Sequence, residues 1–168
     1  MTMSATGMDF DVDVSGEDIF SPDFTICIAD RESKIRGFRF SSELISTLNS
    51  RFSAGEYRYE KSKKGRSQLK VRVYCIMIYF LFRSMKPSTP LNLTLCRDFY
   101  GKEEDIRNNL KFFLGERLYL GIERIDFRKL EDSSNAHKYS YLMRKDTKNQ
   151  MKTYVKIGID EIEEFLKK

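Results

Sequence analysis

Thr25-Ile26-Cys27-Ile28-Ala29-Asp30 and Leu91-Asn92-Leu93-Thr94-Leu95-Cys96-Arg97-Asp98 are two short apolar runs, each closed by an aspartate. Runs of this length, rich in β-branched and aliphatic side chains, predict buried strands. The carboxyl end of a buried strand is where α/β folds usually build their sites. Two carboxylates delivered from neighbouring strand ends would hold a divalent cation. The expected class is therefore α/β, with Asp30 and Asp98 as the first candidates for chemistry.

Around these runs the pattern alternates between strand and helix signals. Ile35 to Ser41 forms a second strand after the charged turn Arg31-Glu32-Ser33-Lys34, and Ser41-Ser42-Glu43 opens a short helix through Leu48 with a serine as N-cap. Glu56-Tyr57-Arg58-Tyr59-Glu60 alternates and is expected as a third strand. Ser67 to Met85 reads as a long helix buried on most of its circumference, ended by Pro87 and Pro90. After Leu91 to Asp98 come a helix from about Glu103 to Leu114, a strand from Ile122 to Phe127 and a helix from Ser133 to Lys145. A short strand from Thr153 to Ile157 and a terminal helix from Asp160 to Lys167 finish the chain.

At 168 residues the chain is long enough for one hydrophobic core without staples, and residues 24–168 are expected to form a single α/β domain. Cys27, Cys75 and Cys96 lie in apolar segments without a C-x-x-C pair, and His137 is the sole histidine. That pattern argues against structural zinc and against a disulfide framework, and buried reduced thiols suit an intracellular, cytoplasmic setting. The longest apolar run, Val73 to Phe82, has ten residues, where a membrane-spanning helix needs about 20.

The formal charge of +5 is unevenly spread. Residues 1–23, with Asp9, Asp11, Asp13, Glu17, Asp18 and Asp23 and no basic side chain, read as an acidic, disordered leader. The remainder is strongly basic, which suits a polyanionic partner such as nucleic acid and is also found in proteins that bind none. The best candidate contact is Tyr57, Arg58, Tyr59, Lys61, Lys63, Lys64 and Arg66, where cations can meet phosphates and tyrosines can stack on unpaired bases. An ordinary solvated turn fits the same stretch. No Gly-rich phosphate loop supports ATP-dependent activity.

The order of strands and helices, with Asp30 and Asp98 at strand ends and Glu131-Asp132-Ser133-Ser134-Asn135-Ala136-His137-Lys138 at the last long helix, resembles the ribonuclease H-like superfamily. Ser67 to Met85 carries no acidic residue, so the resemblance is closer to the resolvase-like branches than to ribonuclease H itself. It implies a mixed central sheet flanked by helices and a magnesium- or manganese-dependent nuclease acting on DNA or RNA. Asp30, Asp98 and Asp132 would be metal ligands in such an enzyme, and His137 would join them as a catalytic group. A relative that binds nucleic acid without cutting it fits the same residues. Read without the resemblance, Asp30 and Asp98 serve equally well as turn and cap residues, and the chain as a non-enzymatic protein-interaction or structural module.

Overall fold

The computed structural model describes residues 7–167. Five strands, β1 (Met8–Ser15), β2 (Thr25–Ala29), β3 (Ile35–Arg39), β4 (Leu91–Leu95) and β5 (Ile122–Phe127), form one mixed sheet in the order β3-β2-β1-β4-β5. β1 pairs antiparallel with β2 and β2 with β3, while β1 and β4, and β4 and β5, are parallel. The helices are α1 (Ser42–Ser53), α2 (Lys63–Met85), α3 (Glu103–Leu110), α4 (Asn135–Lys145) and α5 (Ile159–Glu163), with a π-helical segment, Lys111–Arg117, continuing α3. The α/β class and the mixed sheet flanked by helices are as expected. None of the helices among the described residues is long and apolar enough to cross a membrane.

The largest correction concerns the N-terminus. Residues 8–15, expected within a disordered acidic leader, are the central strand. Phe10, Val12 and Val14 are buried on one face, where Phe10 meets Phe82 of α2 edge-on at 5.1 Å between ring centroids. The intervening aspartates point to the other face, towards α4. Strict alternation over eight residues is a half-buried strand, and the acids occupy its second face.

Two other expected strands are not formed. Glu56 to Glu60 is a loop with an isolated bridge between Tyr57 and Lys167, and Thr153 to Ile157 pairs with β3 through a single bridge between Gly37 and Tyr154. The long helix is present but starts earlier, where the Ser62 hydroxyl accepts the Gly65 N–H at 3.0 Å. α4 is capped by Ser134 rather than by Asp132 or Ser133.

α2 packs on the β2 and β3 side of one sheet face, and nearly every residue from Val71 to Phe82 is buried, so it sits between the sheet and α3 rather than presenting a single apolar stripe. α4 crosses β1, β2 and β3 on the opposite face, over Cys27, Ala29, Ile35 and its own Ala136 and Met143. Gly37 in β3 permits this approach, because a Cβ there would run into the Met143 thioether and the Ile26 carbonyl.

The C-terminal segment is tied down by a charge. Buried Glu163 accepts hydrogen bonds from the Arg51 guanidinium and, at 2.9 Å, from the Tyr57 hydroxyl. Burial pushes the Glu163 carboxyl up, but those two hydrogen bonds outweigh it and hold the group below the ordinary glutamate value of 4.5. A depressed folded value contributes stability that is present above the unfolded value and lost as pH falls through the folded one. Glu163→Gln should therefore cost about 1–3 kcal/mol at neutral pH and flatten the decline in stability below about pH 4.5. Urea unfolding of both proteins across that range would show it, and parallel acid limbs would refute the assignment.

Candidate metal centre

β1 and β4 are parallel neighbours in register, with Val12 opposite Leu95, so both chains leave the sheet at the same edge. This edge collects the chemistry. Asp13 lies near the end of β1 and is only 7% exposed, and Cys96, whose N–H donates to the Val12 carbonyl at 3.0 Å, follows β4 directly. Asp98 comes two residues later and reaches solvent. One ligand atom from each of Asp13, Cys96 and Asp98 lies within 4.8 Å of the others.

α4 closes the site from the sheet face. The Ser134 hydroxyl donates to Asp11 Oδ2 at 2.9 Å, and His137, one turn on, brings Nδ1 to 2.9 Å from Asp13 Oδ2. A carboxylate has no proton to give, so Nδ1 is the donor and Nε2 of the neutral ring is left as an acceptor. Nε2 is 3.8 Å from the exposed carboxylate of Asp132.

The two carboxylates repel each other. Asp98 is pushed up, first by partial loss of solvent and then by the negative charge of Asp13. Cys96 is pushed up to about 12 by burial and by Asp98 and Asp13, so it stays a thiol at neutral pH. The carboxylate oxygens of Asp13 and Asp98 suit a hard cation such as Mg²⁺ or Mn²⁺. Asp13 and Asp98 would hold it, with His137 bonded to Asp13 Oδ2 beside them.

The four expected catalytic residues are divided by this geometry. Asp98 and His137 meet at Asp13, and Asp132 joins them through His137. Asp30 does not. β2 runs antiparallel to β1, which carries Asp30 past the Asp11–Ala29 pair, away from Asp13 and into the cleft that Asp11 also lines. There Asp30 Oδ1 accepts the Glu32 and Lys34 N–H groups at 3.0 and 2.9 Å, as a turn residue does. Asp13, the residue that organises the cluster, was missed because its segment was read by composition. The alternation of Phe10, Val12 and Val14 was the signal that could have found it.

Clefts border the centre on two sides. One, of about 410 Å³, runs past Asp98 between Lys70 and Lys102. Another, of about 470 Å³, is lined by Asp11, Asp30 and Glu131 together with Arg31, Arg128 and Lys129. Of the expected nucleic-acid contacts, Lys61, Lys63 and Lys64 are exposed, and Lys63 lies about 10 Å along α2 from Lys70. Arg58 is exposed and donates to the Lys167 carbonyl at 3.3 Å, and Arg66 bonds Asn49 at 2.7 Å and lies over the Phe20 ring. Tyr59 is half-buried against the core. Tyr57 is buried with its hydroxyl on Glu163, so it has no face to offer a base.

Removing the charge at Asp13 should relax its neighbour. In the metal-free protein, Asp13→Asn should lower the Asp98 pKa while leaving it above 3.8, because the desolvation persists. Carboxyl carbon chemical shifts followed through an acid titration report this directly, and an unmoved Asp98 would separate the two groups electrostatically. No protein-family model, no curated protein and no solved structure matches this chain.

Proposed function

We propose that this chain is a ribonuclease H-like domain that acts on nucleic acid as a divalent-metal-dependent nuclease. The observation that carries the reading is the convergence of Asp13, from the central strand, and Asp98, from the end of its parallel neighbour, beside a histidine from α4. The sheet order β3-β2-β1-β4-β5, with its pattern of parallel and antiparallel pairs, fits a ribonuclease H-like topology. With β1 recognised as the first strand, Asp13 takes the role that the resemblance gave to Asp30.

The division of labour follows from the geometry. A bound Mg²⁺ would polarise a phosphate and stabilise the charge that develops on it during hydrolysis. Asp13 and Asp98 would hold that cation at the sheet edge. Asp13 also fixes the His137 tautomer through Nδ1, which leaves Nε2 free to take a proton from an attacking water or pass one to a departing oxygen. Asp132 lies exposed 3.8 Å from Nε2, on the side open to solvent. Lys102, Arg31, Arg128 and Lys129 stand among acids in the bordering clefts and would supply the cations for phosphates on either side of the cleaved one, while Lys70 is already paired with Asp18 at 3.0 Å.

One observation favours a narrower reading. α2 carries no acidic side chain, so the centre draws its carboxylates from strand ends alone, and a relative that binds nucleic acid without cutting it is the second reading.

Cleavage of labelled single-stranded, duplex and branched DNA and RNA in Mg²⁺ or Mn²⁺ decides between them. Asp13→Asn and Asp98→Asn should each reduce cutting by at least about a hundredfold, whereas Asp30→Asn should leave it within about twofold. Salt-dependent binding without cutting by the native chain would support the second reading. Neither binding nor cutting would reject both and return the protein-interaction module as the working account.

A further inference from the structure

Tyr74 stands out among the described residues. It lies at the middle of α2, its side chain has no exposure to solvent, and its hydroxyl has no hydrogen-bond partner. Tyr57, equally buried, is satisfied, since it donates to Glu163 at 2.9 Å, and the half-buried Tyr154 donates to Asp146 at 2.9 Å. A buried, unpaired hydroxyl costs stability unless some state of the protein uses it.

The surroundings of Tyr74 say which state that is. Its ring stacks on Phe99 with centroids 4.3 Å apart and planes 27° from parallel, and Phe99 is the residue that follows Asp98. Burial pushes the phenol well up, and the groups that add to the push are Cys96, Cys75, Asp13 and Asp98. Three of those four are the cluster at the sheet edge. His137 thus approaches the carboxylates from the α4 face, and Tyr74 comes from the helix on the opposite face.

We propose that Tyr74 is a positioning residue of the Asp13–Asp98 pair, its hydroxyl donating to a carboxylate oxygen of Asp98 when a divalent cation is bound. The inference rests on the cation-binding reading given under the proposed function. A carboxylate that binds a cation through one oxygen has its second oxygen free to accept, and a donor fixed by the core orients it. The Phe99 stack acts on the same residue from the backbone side, because it holds the segment that carries Asp98. α2 supplies no carboxylate of its own, and its contribution to the centre is this one donor.

Tyr74→Phe keeps the ring and its stack on Phe99 and removes only the donor. The test is calorimetric titration of Mn²⁺ alone into the native full chain and into this variant, together with thermal unfolding of both in a chelator. The variant should unfold at the same or a higher temperature in the chelator, since an unpaired hydroxyl has been removed, and should bind Mn²⁺ about tenfold more weakly. Equal Mn²⁺ affinity in the two proteins would overturn the inference and leave the metal centre standing. A marked loss of stability in the chelator would also overturn it, since the hydroxyl would then be a structural donor. A native chain that takes up no Mn²⁺ would remove the metal centre itself, and the role of Tyr74 with it.

Discussion

The pairing of β1 with an antiparallel partner on one side and a parallel partner on the other is the constraint on which the molecule depends. It makes Phe10, Val12 and Val14 the middle of the core over α2, and by the same alternation turns Asp11 and Asp13 towards α4. The parallel partner then matters for direction. β1 and β4 run the same way, so an aspartate near the end of one and an aspartate just past the end of the other share an edge. A register slip of a single residue would bury the acids in the apolar layer and expose the valines, so the core enforces the geometry of the carboxylate pair.

The two faces of β1 also explain how acids can sit in the centre of a sheet. Asp11 is held by the Ser134 hydroxyl and bordered by Arg31 and Arg128, and Asp13 by the His137 ring and the Cys96 thiol beyond. The N-terminal turn of α4 is therefore part of the sheet's polar lining. Ser134 does two tasks there, accepting the His137 N–H as an N-cap and donating to Asp11, which fixes the height of the helix over the strand.

Much of this was legible in the sequence. β2, β3, α2, β4, β5 and α4 follow from apolar periodicity and proline or serine punctuation, and with them came Asp98 and His137. β1 was not read because three aspartates in eight residues look like a solvated tail when they are counted, and like a strand only when their spacing is used. Asp30 was paired with Asp98 because both end apolar runs, and the sequence carries no mark of strand direction. Glu56 to Glu60 alternates as a strand does, yet Tyr57 turns into the core to meet Glu163, a partner more than a hundred residues away that no local pattern announces. The exposed lysines at the start of α2 were found by their charge alone, because exposure needs no tertiary partner.

The central position of β1 has a consequence for how the chain reaches this state. The strand that comes first in sequence finds its parallel partner only in Leu91–Leu95, about 80 residues later, and the loop between them must close before that pairing returns any free energy. During synthesis, β2 and β3 can join β1 early as a three-stranded meander, but one edge of β1 stays open until β4 arrives with the whole of α2 already made. The acids on that strand have a second use in this interval. An unpaired strand edge is a template for other chains, and like charge at alternate positions opposes the stacking of one nascent copy on another.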